Sequence, residues 1–200
     1  MTAPDQAGNA RLVVVGVSLG GLHALKTLLG GLPQKFPWPV AITQHRSAEA
    51  EDLLAPLLHT CCRLPISDVV DKEPIQPGHV YLAPADYHLL VERGSFTLSR
   101  EELVNFSRPA IDLLFESAAD AYGSGVIAII LTGANHDGAA GAAYVKARGG
   151  LLLVQDPASA EAPSMPRAAL KAAKADAVLP LDAIAGWLAQ QACPHTHSRP

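Results

Sequence analysis

Long apolar runs and charge of one sign are scarce in this chain, and each scarcity excludes a class of protein. The longest apolar runs have the length of a strand, well short of the roughly 20 residues that a helix needs to span a bilayer. Only 17% of the residues are charged and the formal net charge is -4, with acids and bases interspersed. This pattern lacks the basic footprint of a nucleic-acid-binding protein. We therefore expect neither membrane insertion nor a nucleic-acid partner.

Cysteine is also scarce. Of the three cysteines, Cys61 and Cys62 are adjacent, which is poor geometry for a mutual bridge, and Cys193 lies near the end. Three scattered thiols indicate a reducing compartment without a disulfide framework. Residues 1–10 lack the basic start and apolar core of a signal peptide, and no Cys or His spacing resembles a zinc site. These absences predict a cytoplasmic protein that needs no metal.

The residues that are abundant predict one α/β domain. The chain has 200 residues, of which 49% are hydrophobic, enough for a single buried core. We expect one folded domain over residues 11–191, with flexible ends at residues 1–10 and 192–200. Strand patterns cover residues 12–17, 40–44, 66–70, 126–131, 151–155 and 177–179. Helix patterns cover residues 22–29, 48–59, 109–121, 139–147, 165–175 and 182–191, with Pro109 in a first turn and Asp182 as a cap.

Three short alternating segments interrupt this βα order, at residues 79–82, 88–92 and 96–99. Their close spacing and turn residues predict an antiparallel meander or hairpin at the edge of the sheet. The fold class predicted is therefore doubly wound α/β. It has a mostly parallel sheet, helices on both faces and an antiparallel hairpin excursion.

Three strands end in residues that could share a reaction. Gly16-Val17-Ser18-Leu19-Gly20 matches the G-x-S-x-G pattern of a nucleophile elbow, in which a tight turn lifts the serine above the sheet. His45 follows the second strand, and Asp137 follows the strand at residues 126–131. Because the carboxyl ends of parallel strands share one edge of a sheet, these three side chains could meet there. The first hypothesis is a serine hydrolase.

Each residue also has a plainer interpretation. The Ser18 turn could cradle a phosphate at a helix N-terminus. His45 could cap the next helix, and Asp137 is a good helix N-cap. The order Ser18, His45, Asp137 excludes the α/β-hydrolase fold, in which the acid precedes the histidine, but it does not exclude catalysis, because a triad is defined by geometry.

Taken jointly, several blocks in a fixed order give this chain a resemblance to the catalytic domain of the CheB family, the chemotaxis receptor protein-glutamate methylesterases. They cover about residues 11–190 and are the following: Val15-Gly16-Val17-Ser18-Leu19-Gly20-Gly21, Thr43-Gln44-His45, Pro77-Gly78-His79-Val80-Tyr81-Leu82-Ala83-Pro84, Arg108-Pro109-Ala110-Ile111-Asp112-Leu113-Leu114-Phe115, Ile130-Leu131-Thr132-Gly133, Asp137-Gly138-Ala139, Gln155-Asp156, Met165-Pro166-Arg167 and Val178-Leu179-Pro180-Leu181.

The resemblance implies hydrolysis of γ-glutamyl methyl esters on the cytoplasmic helices of chemoreceptors, without a cofactor. It assigns Ser18 as nucleophile, His45 as general base and Asp137 as the orienting acid. It also implies an oxyanion hole built from the backbone amides of Leu19 and Ala134. Some family members deamidate receptor glutamines as well. Two alternatives stay open: a non-catalytic scaffold that binds a receptor or a phosphorylated ligand, and a hydrolase of the same fold for a different ester.

The chain departs from the family pattern at several positions. Leu19 replaces a usual threonine, Arg46 a methionine, Ala134-Asn135 a Met-Gly pair, and Ser107 a histidine. These changes bear on substrate fit, and Arg46 adds a charge beside the base that could steer an acidic substrate. Many relatives also carry a receiver domain ahead of this one. Only about ten residues precede the first strand here, which leaves two expectations, a constitutive enzyme or control by a separate regulatory protein.

Overall fold

A computed structural model of the chain describes residues 11–46 and 53–192. Nine strands lie in these ranges: β1 (Leu12–Val17), β2 (Val40–Gln44), β3 (Ile66–Asp68), β4 (Val80–Leu82), β5 (His88–Glu92), β6 (Ser95–Ser99), β7 (Val126–Ile130), β8 (Leu151–Gln155) and β9 (Ala177–Leu179). The α-helices in the same ranges are α1 (Gly21–Gly31), α2 (Leu54–His59), α3 (Ile111–Tyr122), α4 (Ala139–Ala147), α5 (Ser164–Ala172) and α6 (Leu181–Ala192). A 3-10 turn, Gly123–Gly125, follows α3.

Seven of these strands form one sheet in the order β3-β4-β2-β1-β7-β8-β9. Every pairing in it is parallel. The central strand β1 is buried along its whole length, as expected for a parallel strand covered on both faces. The chain leaves β1 toward β2 on one side and returns later to β7 on the other. This reversal makes the carboxyl ends of β1, β2 and β7 the place where a doubly wound sheet binds ligands.

Alternate residues of β1 enter two separate cores, because successive strand side chains point to opposite faces. Val13, Val15 and Val17 pack with apolar residues of α1, α2 and α6. Leu12 and Val14 pack on the other face with residues of α3, α4, α5 and the β5–β6 hairpin. The predicted doubly wound class with helices on both faces is therefore confirmed.

The antiparallel excursion exists, but its position and extent differ from the prediction. β5 and β6 pair antiparallel in a two-stranded sheet of their own, and β5 packs against α3, so the hairpin does not extend the edge of the main sheet. The segment at residues 79–82, predicted as part of the same meander, supplies β4, a parallel strand between β2 and β3. The close spacing of the segments predicted that residues 79–82 would pair in a hairpin. In the structure these residues pair in parallel with β2 and β3 inside the main sheet.

Helix boundaries supply three further corrections. Helix α5 ends at Ala172, before an extended Ala173, whereas the sequence pattern predicted it as far as residue 175. Asp182 lies inside the first turn of α6 and not at its cap, because the helix begins at Leu181; a carboxylate there still faces the positive end of the helix dipole. Helix α3 begins at Ile111 and not at Pro109, after an extended Ala110. The predicted helix over 48–59 is observed from Leu54 onward, and its earlier residues lie outside the described part of the chain. Within the described ranges, no helix has the length and hydropathy to cross a membrane.

Candidate active site

Sheet register brings Ser18 and His45 to the same level. β1 and β2 pair Val17 with Gln44, and the ladder continues one step further, where the His45 N–H donates to the Val17 carbonyl at 3.1 Å. On the other side of β1, the Ser18 N–H donates to the Thr132 carbonyl at 3.0 Å. Three strand ends thus converge on one point of the sheet edge.

Ser18 occupies a tight turn between β1 and α1. Gly20 precedes the helix in a left-handed conformation with φ 77, which glycine adopts without steric cost. Glycine is also required at Gly16, because a Cβ there would come within 2.3 Å of the Ile111 side chain. The turn leaves Ser18 partly exposed beside the N-terminus of α1.

His45 bridges the serine and the aspartate. Its Nδ1 lies 3.1 Å from the Ser18 Oγ, and its Nε2 lies 2.7 Å from Oδ2 of Asp137. An ionised carboxylate can only accept a hydrogen bond, so the Nε2 carries a proton and donates it. The Nδ1 is then the acceptor that faces the serine hydroxyl. The two ring nitrogens therefore have roles opposite to those in the trypsin-like arrangement, where Nε2 faces the serine.

Asp137 is buried and receives several hydrogen bonds. Besides His45, the backbone N–H groups of Ile111 and Asp112 donate to its carboxylate at 2.7 and 3.1 Å, and the Asn105 side-chain amide donates at 3.1 Å. Burial alone would raise the pKa of this carboxyl. The donors outweigh burial and hold the pKa below its ordinary value, so the group is ionised at neutral pH.

The bonds from Ile111 and Asp112 also resolve the helix-cap interpretation of Asp137. The carboxylate closes the N-terminus of α3, which is distant in sequence, rather than acting as the cap of its own helix α4. The cap position of α4 is Gly138, and that of α3 is Ala110, which has no capping side chain. The Asp137 carboxylate thus accepts the first N–H groups of α3, a role that the Ala110 side chain cannot fill.

Two residues of this network were missed by the sequence reasoning. The Asn105 amide lies between two carboxylates and donates to Asp112 at 2.9 Å as well as to Asp137. Asp112 is buried and accepts the Gly141 N–H at 2.7 Å. Burial, more than the neighbouring Asp137 charge, raises the pKa of Asp112. A polar Asp112 on the otherwise apolar face of a predicted helix was the available signal.

The amides of Leu19 and Ala134 lie in peptide groups with anchored carbonyls. The Ser18 carbonyl accepts the Gly21 N–H at 2.9 Å, and the Gly133 carbonyl accepts the Met165 N–H at 3.0 Å. The C=O and N–H of a trans peptide point in opposite directions. The Leu19 N–H therefore points away from Gly21, and the Ala134 N–H points away from Met165. Neither N–H donates to an acceptor within residues 11–46 or 53–192. Within the described residues, both amides therefore keep their hydrogen-bonding capacity unused.

The Gln155-Asp156 block holds the loop after β7 in position. The side-chain amide oxygen of Gln155, Oε1, accepts the Thr132 N–H at 2.9 Å. The Thr132 hydroxyl in turn donates to the Leu19 carbonyl at 2.9 Å, so the serine turn and the Ala134 loop are tied together. Gly133 cannot be replaced without movement, because a Cβ would come within 1.9 Å of the Met165 sulfur.

Two open clefts meet at His45. One has a volume of about 620 Å³ and is lined by Ser18, Leu19, Gly20, Gly21, Leu22, His23, Gln44, His45 and Glu161. The second has a volume of about 420 Å³ and is lined by His45, Arg46, Asp86, Leu103, Phe106, Ser107, Arg108 and Pro109.

Arg46 does not project freely toward an acidic substrate. Its side chain is 7% exposed, and it donates to Asp68 at 3.0 Å and to the Ala83 carbonyl. The Asp68 carboxylate offsets its charge, which weakens the long-range steering expected from the sequence. Ser107 lines the second cleft.

An open parallel sheet with a Ser–His–Asp hydrogen-bonded chain at its carboxyl edge defines an α/β protein of the serine-hydrolase class. The chain belongs to the CheB methylesterase family, whose model it matches over residues 13–188. The resemblance inferred from the sequence blocks is thereby confirmed.

Known relatives agree with this membership. A Leptospira interrogans protein with both protein-glutamate methylesterase and protein-glutamine glutaminase in its name is 47% identical over 178 residues, covering 88% of this chain and 92% of its own length. The Pseudomonas aeruginosa protein-glutamate methylesterase/protein-glutamine glutaminase 2 is 40% identical, covering 91% of this chain but 53% of its own. The crystal structure of the Thermotoga maritima CheB methylesterase catalytic domain superposes with a TM-score of 0.87 at 35% identity. That match covers 92% of this chain and 99% of the Thermotoga domain.

Proposed function

We propose that this chain is a serine hydrolase that demethylates chemoreceptors, cleaving γ-glutamyl methyl esters to glutamate and methanol. The observation that carries the proposal is the continuous hydrogen-bonded chain from Ser18 through His45 to Asp137, at 3.1 and 2.7 Å. Membership of the CheB methylesterase family supplies the substrate class. The proposed substrates are the cytoplasmic helices of methyl-accepting chemoreceptors, which implies a cytoplasmic location.

In the first half-reaction, the Ser18 Oγ attacks the ester carbonyl while the His45 Nδ1 accepts its proton. The resulting imidazolium is stabilised by the ionised Asp137, which also keeps the ring in the orientation that leaves Nδ1 free to act as base. The proton then passes from Nδ1 to the methoxide oxygen. Methanol leaves, and Ser18 carries the glutamyl group as an ester.

In the second half-reaction, water replaces methanol. His45 removes a proton from the water, the hydroxide attacks the acyl-enzyme carbonyl, and the proton returns to the Ser18 Oγ as the acyl bond breaks. The product is a free glutamate side chain. Both half-reactions consist of nucleophilic attack, proton transfer and loss of a leaving group, and none of these steps requires a cofactor.

The Leu19 and Ala134 amides serve as donors to the tetrahedral oxyanion in this scheme. The carbonyl group of each of these two peptide units, at Ser18 and at Gly133, already accepts a backbone hydrogen bond. The two N–H donors therefore need little reorganisation when negative charge develops on the substrate oxygen. Removing one donor of this kind typically costs about 10²–10³ in turnover. Since backbone amides form the hole, the replacement of the usual threonine by Leu19 leaves this part of the mechanism intact.

The same steps apply to a glutamine side chain, with ammonia leaving in place of methanol. Deamidation is accordingly part of the proposal, as a second activity of one site. Control by a separate regulatory protein belongs to the proposal as well, and adding cell extract to the assay below tests it.

Methanol release from methylated chemoreceptor membranes, compared between wild type and Ser18→Ala, tests the proposal. We expect release by wild type and almost none by Ser18→Ala, while Ser124→Ala, a matched control away from the clefts, retains full activity. Binding of receptor by wild type and Ser18→Ala alike, without release by either, would support a non-catalytic scaffold instead. Hydrolysis of other esters but not of receptor would indicate a different substrate.

A further inference from the structure

The loop between β6 and α3 forms a turn at the edge of the second cleft. Val104 and Ser107 exchange two backbone hydrogen bonds, at 3.2 and 2.9 Å. The two residues between them, Asn105 and Phe106, have φ values of 51 and 61. Positive φ at both central positions is the pattern of a type I′ turn, whose second central residue is normally glycine. We call residues 104–107 the 104–107 turn.

Phe106 is an unusual occupant of that position. A left-handed conformation is costly for a bulky aromatic residue, and the side chain obtains no packing in return, since it is 97% exposed. Leu103, next to the turn, is also 58% exposed. Strained backbone that persists beside a reaction site points toward a function for the residue it holds.

The residues on both sides of the turn are hydrogen-bonded to the rest of the domain. The buried His88 accepts the Ala110 N–H at 3.2 Å and faces the Glu102 carbonyl at 3.0 Å. Arg108 donates to the Arg100 and Glu101 carbonyls. On its inner side, Asn105 donates to Asp137, so the residue before Phe106 contacts the proposed catalytic acid. The exposed ring therefore lies on a turn whose neighbouring residues make hydrogen bonds to other parts of the domain.

We propose that Phe106 and Leu103 form an apolar docking surface for the helical receptor segment that carries the esterified glutamate. The surface is continuous with the site, because both residues line the cleft that includes His45. Leu19, the residue after Ser18, is 56% exposed in the first cleft, which also includes His45, so each of the two clefts has an exposed apolar side chain in its lining. A helix that places the side chain of residue i at Ser18 has residues i±3 and i±4 on the same face, one turn away. These are the residues that would contact the apolar side chains of the two clefts.

The inference rests on the proposed function and names the part of the substrate that this chain recognises. The matching partner is an amphipathic helix with apolar residues one turn from the ester. A peptide whose neighbouring turns are charged would leave Phe106 exposed and gain nothing from it.

Phe106→Gly tests the surface, because glycine adopts the positive φ while removing the ring. We expect kcat/KM for methanol release from methylated receptor to fall about tenfold, mainly through KM. The reference reaction is the labelling of Ser18 by a small fluorophosphonate, which reacts with the serine but carries no helix residues that could contact Phe106. The fall for receptor should exceed any fall in labelling by about tenfold. The melting temperature should stay equal or rise.

Phe106→Asn, which also tolerates positive φ, should reproduce the loss, and Val178→Ala, an exposed apolar residue on the edge strand β9, should not. Equal losses for receptor and for labelling, or no loss at all, would overturn the docking surface. Dimerisation of wild type that Phe106→Gly abolishes, with receptor kinetics unchanged, would assign the surface to a second copy and overturn the proposal. Absence of methanol release by wild type would instead overturn the proposed function, which separates the two failures.

Discussion

The carboxylate of Asp137 accepts the backbone N–H of Ile111, the first residue of helix α3, at 2.7 Å. The oxygen that makes this contact is Oδ2, the same atom that faces His45 Nε2. The proposed catalytic acid is therefore also the anion at a helix N-terminus, a position that stabilises negative charge. The fold and the proposed catalysis would therefore depend on one carboxylate, and substitutions there should affect both stability and turnover.

Asp137→Asn keeps the shape of the side chain and removes its charge. We expect turnover to fall by about 10⁴, the scale known for the corresponding change in trypsin, because the amide no longer stabilises the imidazolium. Loss of the capping charge on α3 should lower the free energy of unfolding by about 1–2 kcal/mol. Methanol release and urea denaturation measure the two effects. Near-normal turnover with lowered stability would leave Asp137 a structural cap only.

The acid dependence of stability should identify Asp137. Burial opposes ionisation of this carboxyl, but the hydrogen bonds from His45, Ile111, Asn105 and Asp112 keep its pKa below the ordinary value. Such a group stabilises the fold above its unfolded pKa of about 4, and the stabilisation is lost as pH falls through the folded pKa.

Urea denaturation measured from neutral to acid pH provides the test. The free energy of unfolding of wild type should fall more steeply below about pH 4 than that of Asp137→Asn. Asp112, whose pKa is raised by burial, contributes with the opposite sign, since its protonation favours the folded state. Identical slopes for the two proteins would show that Asp137 is not the group responsible.

Asn105→Gly separates the side-chain amide of Asn105 from its backbone conformation. Glycine tolerates the φ of 51, so the turn is kept while the donor to Asp137 and Asp112 is lost. Two buried carboxylates then lack a shared donor, and we expect the free energy of unfolding to fall by about 1–3 kcal/mol. Turnover should fall while KM changes little, because Asn105 donates to the proposed acid and lines neither of the two clefts. A rise in KM at constant kcat would indicate a binding role instead.

Gly133→Ala tests the support of the Ala134 amide. The added methyl would meet the Met165 sulfur at 1.9 Å, and the resulting shift should cost about 1–3 kcal/mol of stability and reduce turnover through the displaced amide. Gly186→Ala in α6 is the matched control, since a Cβ there meets nothing within 4 Å. It should raise stability by about 1 kcal/mol through helix propensity. Normal stability and turnover in Gly133→Ala would mean that the loop adapts freely.

Much of this architecture could be predicted from local patterns. The strands around Val13–Val15 and Ile127–Ile130 are continuous apolar runs, and helix α4 was predicted with the bounds that the structure has. Residues 79–82 were assigned to a meander because nothing in their alternation separates an antiparallel strand from a short parallel one. Their partners, β2 and β3, are chosen by packing between segments that are far apart in sequence.

The candidate site also combines features that are local in sequence with features that depend on tertiary packing. The sequence by itself determined the glycine turn around Ser18, the polar residues that end β2 and β7, and the family blocks, because these are properties of short segments. Only the tertiary structure decided that Asp137 caps α3, that Asn105 joins two carboxylates, that Arg46 is neutralised by Asp68, and that Phe106 faces outward. Each of these depends on distances between residues remote in sequence, which are set when the sheet, the helices and the hairpin pack together.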